Sequence, residues 1–144
     1  MPARTTALAA LIACRKAGGW SDGVLKEYLQ RDRLDRRDAA LATQLCYGVQ
    51  QQRLLLDWRL TQASAQPLEK LQPVVLDILR LGAYQLGFLD RVPASAAVNE
   101  AVEQAKRYAN PRAGAFVNGV LRGLTRRGLA QALPEGTDLP SLSI

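Results

Sequence analysis

The sequence predicts an all-α fold, a bundle of about six or seven helices around a central apolar helix. Two observations predict it. Apolar residues recur at helical spacing through most of the 144 residues, and nowhere do they alternate with period two for long. One segment, 73–89, is apolar almost all round, as a helix enclosed by others must be.

The elements follow in order. A first helix over 3–17 places Leu8, Leu11 and Ile12 on one face and stops at Gly18-Gly19. Ser21 caps a short second helix that buries Val24, Leu25, Tyr28 and Leu29. Asp35 is the expected N-cap of a long third helix, with Asp38 in its first turn and a stripe of Leu41, Leu45, Val49, Leu56 and Leu60. After a polar break at 61–66, Pro67 opens a turn or short helix. The central helix follows, and Asp77 and Arg80, three apart on it, are expected to pair. A helix over 94–108 buries Val98, Ala101, Val102 and Ala105. Asn110 then caps the last helix, with Pro111 at its first position, where a missing N–H costs nothing. That helix buries Ala113, Phe116, Val117, Val120, Leu121 and Leu124 and stops at Gly128. Asn118, Arg122 and Arg126 form a second stripe at i, i+4, i+8. Gly119 and Gly123 are expected on its outer face. Residues 1–130 are thus read as one domain and 131–144, rich in Pro, Gly and Ser, as a linker or tail.

The charge is uneven. The net charge is +6, and 82 residues from Asp22 to Glu103 hold ten basic and eleven acidic side chains, close to neutral. Gln104 to Gly128 holds six basic residues and no acid: Lys106, Arg107, Arg112, Arg122, Arg126 and Arg127. A basic field therefore covers the last two helices.

Composition also excludes. There is no His, and Cys14 and Cys46 stand in no metal or redox spacing, so neither a zinc site nor His-based catalysis is expected. Both cysteines fall in helical apolar patterns and are expected as buried free thiols. There is no Gly-rich phosphate loop, GxSxG or HExxH. Asp32, Asp35 and Asp38 interleave with arginines as a helix cap does. No catalytic residue is expected in this chain. No membrane span or signal peptide is expected, since the apolar segments are short or interrupted by charge, and the expected location is the cytoplasm.

The turn from Lys106 to Arg112 packs three cations and Tyr108 into seven residues. Cations neutralise phosphates, a Tyr stacks on an unpaired base, and the amides of the helix that starts here favour an anion. The same composition suits a solvated basic face with Tyr108 at the core edge. Arg4 lies four residues before Leu8, so its stem can also flank the apolar stripe of the first helix.

The phrase AVNEAVEQAKRYANPRAGAFVNGVLR resembles the signature of the NusB fold, the all-α RNA-binding domain of bacterial antitermination factors. VVLDILRLGAYQLGFLDRVP is similar to that family's central helix and ARTTALAAL to its first. LDRRDAALATQLCYGVQQQ resembles the N-terminal NusB-like domain of bacterial small-subunit ribosomal RNA cytosine-5 methyltransferases (the Sun/Fmu, or RsmB, family). There such a domain precedes an S-adenosylmethionine-dependent catalytic domain. Cys14 and Cys46 match neither nucleophile motif of those enzymes.

The resemblance implies an RNA-binding accessory domain that recruits ribosomal RNA for a catalytic half not in this chain. That half would hold the S-adenosylmethionine and would be a partner of this domain. The alternative is a free-standing antitermination factor that binds RNA with a ribosomal-protein partner. The RNA-binding residues implied are Arg4, Lys106, Arg107, Arg112, Phe116, Asn118, Arg122 and Arg126. Arg122 departs from free-standing NusB, which tends to have an acid there. Asn99 and Asn118 serve equally well as hydrogen-bonded ties between helices.

Overall fold

In a computed structural model, which describes residues 2–134, seven α-helices follow one another with no strand among the described residues. They are α1 (Pro2–Lys16), α2 (Asp22–Arg31), α3 (Arg36–Gln51), α4 (Arg53–Ala63), α5 (Pro73–Phe88), α6 (Ala94–Tyr108) and α7 (Pro111–Arg126). A 3-10 turn, Leu68–Lys70, stands where Pro67 opens the polar break. The part of the expected tail from Glu135 onward lies outside the described residues.

The caps are those expected. Ser21 Oγ accepts from the Val24 amide at 3.3 Å, Asp35 Oδ1 from Asp38 at 2.8 Å, and Asn110 Oδ1 from Ala113 at 2.8 Å. Gly128 ends α7 at φ +67°, where the Gly128 and Leu129 amides donate to Thr125 and Leu124 carbonyls. This Schellman turn needs the left-handed conformation that glycine adopts freely.

α5 is the hub and touches α1, α3, α4, α6 and α7. Its Val75, Ile78, Leu79, Leu81 and Ala83 are buried on several sides at once. Close approach needs small residues at two points. A Cβ on Gly82 would sit 2.7 Å from Leu121 Cδ1, and a Cβ on Gly48 would fall inside the Tyr84 ring. The α1–α3 pair packs on one side of α5 and the α6–α7 hairpin on another, while α2 lies against α1. Both cysteines are free and buried, and burial pushes the Cys46 thiol up to about 12.

Three expectations are corrected. The long third helix is two helices, bent at Gln52 (φ −101°, ψ 14°). The bend lets α3 pack on α1 while α4 turns to α5 and α7. Asp77 and Arg80 do not pair with each other. Asp77 Oδ2 accepts from Arg15 Nε at 2.8 Å, and Arg80 grips Asp57 with two bonds of 2.8 and 2.9 Å. Each charge thus ties two helices together rather than one turn to the next. Gly119 is on the outer face, but Gly123 is buried and faces Ala63 of α4.

Candidate nucleic-acid interface

The α6–α7 hairpin is held by its small residues. Gly114 lies so close to α6 that a Cβ there would sit 2.8 Å from Lys106 Cγ and 3.4 Å from the Val102 carbonyl. The stem of Lys106 is therefore laid across the start of α7, and its ammonium reaches outward to Glu103 at 3.5 Å. Val98, Ala101 and Ala105 of α6 and Val117, Val120, Leu121 and Leu124 of α7 are buried, so the polar stripes of both helices face solvent.

Arg107, Arg112, Arg122 and Arg126 are exposed. Among the described residues they pair with no carboxylate, since the ion pairs there engage other cations. Arg122 Nε donates to Asn118 Oδ1 at 2.8 Å on the same helix. Asn118 thus steadies a cation and does not bridge helices in this contact. Phe116 is half-buried against the core. Arg4 stands apart from the others. It is 7% exposed, and its Nε donates to Gln85 Oε1 while Nη1 donates to Glu100 Oε1 at 2.7 Å. Arg4, implied as an RNA contact, stands in this structure as a tie between α1, α5 and α6. Its guanidinium is committed to internal acceptors.

Two grooves flank the cations. One, between α1 and α6, is lined by Arg4, Asn99, Glu100, Glu103, Arg107 and Tyr108. Its two carboxylates disfavour a phosphate, but its amide and the 41%-exposed Tyr108 ring suit a base. The other joins the first turn of α6 (Ala94, Ser95, Val98) to Asn118, Gly119, Arg122 and Arg126. The N-cap of α6 is Pro93, which gives no side-chain cap. Free amides at a positive helix pole and two guanidiniums meet there without an acid, a setting for an anion.

Arg112 breaks a local rule in the same sense. It stands in the first turn of α7, where acids are favoured and none is present. Like charges gathered this way repel each other until an anion arrives. Local rules are most often broken at functional sites.

Some residues escaped the sequence. Tyr108 also borders a cleft with Lys16, Tyr28 and Arg31, and the Arg31 guanidinium lies 4.2 Å above the Tyr28 ring. Only the packing of α2 on α1 brings these beside α6. Ser95 and the α6 first turn were equally hidden, although Pro93 was a local sign of an uncapped helix start. Among the described residues no cluster of metal-ligating side chains forms, and no helix is long and apolar enough to cross a membrane.

Comparison with known proteins agrees with this architecture. The chain is 37% identical over 126 residues to a probable ribosomal RNA small subunit methyltransferase B of Bacillus subtilis, covering 88% of this chain and 28% of that protein. It thus spans about a quarter of that relative's length. It is 34% identical over 125 residues to the transcription antitermination protein NusB of Shewanella piezotolerans, covering 87% of this chain and 93% of that one. Among solved structures, antitermination factors NusB and NusE in complex with dsRNA match with a TM-score of 0.80 at 25% identity, over 88% of this chain and 95% of the matched one. T. maritima NusB matches with a TM-score of 0.80 at 26% identity, over 86% of this chain and 88% of that one. The NusB family model matches residues 1–126, from the first helix to the last residue of α7, and by that match the chain belongs to the NusB family.

Proposed function

We propose that this chain is an RNA-binding accessory domain that presents ribosomal RNA to an S-adenosylmethionine-dependent cytosine-5 methyltransferase module. The observation that carries the RNA part is the acid-free row Arg112, Arg122 and Arg126 along α7, continued by Lys106 and Arg107. In this reading the RNA backbone lies along that row. An unpaired base reaches the Tyr108 groove, and Arg4 holds the platform from beneath. The likeness to a ribosomal RNA methyltransferase supports the choice of target. The methyl transfer and the cofactor belong to a part of the protein outside this chain.

The experiment is a salt titration of binding to a single-stranded ribosomal RNA fragment. Neutralising about four phosphates gives a slope of log K against log salt of roughly −3. A flat profile would remove the electrostatic basis of the proposal.

A second reading, a free-standing antitermination factor, is favoured by the 93% coverage of the Shewanella protein. The gene separates the two. A reading frame that runs past Ile144 into a methyltransferase fold supports the first, and a stop codon there supports the second.

A further inference from the structure

Arginines from three helices line one cavity outside the α6–α7 hairpin. Arg15 at the end of α1, Arg53 at the start of α4 and Arg80 on α5 surround a space of about 260 Å³, together with Asp77 and Trp20. All three guanidiniums act electrostatically on the Asp77 carboxyl. Two of them are paired through part of their fork. Arg15 Nε donates to Asp77 Oδ2, and Arg80 gives Nε and Nη2 to Asp57. Both Nη atoms of Arg15 and Nη1 of Arg80 have no hydrogen bond among the described residues. Arg53 is exposed and pairs with no carboxylate there. Three cations thus face two acids, a surplus of one positive charge. Arg53 also stands in the first turn of α4, where the helix pole is positive, no acid is present and Gln52 gives no side-chain cap.

The wall and the mouth are shaped for a ring. Trp20 is held in place, since its Nε1 donates to Asp22 at 2.8 Å and its ring meets Tyr47 edge-on at 5.3 Å. Beside it the mouth is open, because a Cβ on Gly18 or Gly19 would have nothing within 4 Å. The volume lies below the roughly 300–1,000 Å³ of pockets that enclose a whole drug-sized ligand. It suits one tetrahedral anion, with the rest of its molecule on the rim. A carboxylate offers two oxygens in one plane, whereas a phosphate presents oxygens in several directions to donors from three helices. A terminal phosphate can enter such a pit, and an internal one, flanked by a sugar on each side, cannot.

We infer that this cavity binds the terminal phosphate of a nucleotide, its oxygens on Arg15, Arg53 and Arg80 and its base on the Trp20 ring. The nucleotide is either free or the 5′ end of an RNA. The site shares no residue with the α7 row and stands whether or not that row binds RNA.

The test titrates the chain with uridine 5′-monophosphate at low salt and reads the Trp20 indole N–H and the Gly18 and Gly19 amide resonances. A saturable shift is expected, and none with uridine. Arg53→Gln removes an exposed cation from a positive helix pole, so the fold is expected to persist while affinity falls about tenfold, as for the loss of one charge-assisted hydrogen bond. Arg122→Gln/Arg126→Gln is expected to leave this affinity unchanged. Absence of a saturable shift, an equal shift with uridine, or unchanged affinity in Arg53→Gln overturns the proposal. A single-stranded RNA with a 5′-phosphate and the same RNA with a 5′-hydroxyl then separate the two sources. Shifts with the phosphorylated RNA alone assign the site to an RNA end. Shifts with uridine 5′-monophosphate and with neither RNA assign it to a free nucleotide.

Discussion

Arg4 and Glu100 meet at 2.7 Å across the contact of α1 with α6, with side chains 8% and 17% exposed. Gln85 on α5 takes the other arm of the guanidinium, so one side chain holds three helices. Removing Arg4 takes a charge-assisted donor from both Gln85 and Glu100 in a mostly buried setting. Arg4→Met is therefore expected to destabilise the fold by about 3 kcal/mol, measured by urea unfolding. A loss of RNA affinity with stability unchanged would show instead that Arg4 touches the ligand.

Tyr108 is expected to bind a base and not a phosphate. Tyr108→Ala should weaken single-stranded RNA binding by about 1–3 kcal/mol while the salt slope stays as in the parent chain. If affinity is unchanged, the ring is only an edge of the core.

Arg122 and Arg126 are expected to neutralise phosphates. The double change Arg122→Gln/Arg126→Gln should lower the magnitude of the salt slope by about 1.4, roughly 0.7 for each phosphate that a single strand then leaves without its cation. Filter binding at several salt concentrations reads this. An unaltered slope would place the RNA elsewhere.

Asp77 gives a pH-dependent prediction. Burial holds its carboxyl above the ordinary 3.8, although Arg15, Arg80 and Arg53 pull it the other way. A raised carboxyl holds its proton more tightly folded than unfolded. It therefore favours the folded state below the ordinary value, and that contribution is lost as pH rises through the raised one. Asn mimics the protonated form, and Arg15, one-third exposed, can turn to water. Asp77→Asn should be at least as stable as the parent at pH 7, with an advantage that shrinks toward pH 3.8. A large loss of stability at pH 7 would show that the ion pair outweighs its desolvation.

Two glycines should respond with opposite signs. Gly48→Ala drives a methyl into the Tyr84 ring, a closed contact between α3 and α5. A loss of about 3 kcal/mol is expected from such overpacking. Gly119 has open space where its Cβ would stand, so Gly119→Ala should add up to about 1 kcal/mol of helix propensity. Thermal unfolding reads both. Destabilisation by Gly119→Ala would contradict an open outer face.

What was legible in the sequence was local. Ser21, Asp35 and Asn110 bond to amides three residues on, and such caps need no tertiary knowledge. The stripe of α7 followed from helical period alone. The bend at Gln52 was not legible, because the apolar stripe continues across it and only packing on two different neighbours breaks the helix. Asp77 lies 62 residues from Arg15, and Arg80 lies 23 from Asp57, so neither partner was visible from neighbouring positions. For the candidate site, the exposed cations of α6 and α7 were legible as charges. The burial of Arg4 depends on Gln85 and Glu100, and no local pattern announces it.

The antiparallel course of α6 and α7 makes the hairpin a measure of length. The positive pole of α7 lies beside Arg112, and that of α6 lies at the other end, beside Arg122 and Arg126. Fourteen residues of helix, ~21 Å, separate Arg112 from Arg126. A free nucleotide can satisfy one pole and leaves the other unscreened. On the proposed reading, one strand with phosphates spaced along its length engages both poles at once, where monomers need two independent binding steps, and this favours chain over monomer before any base is read.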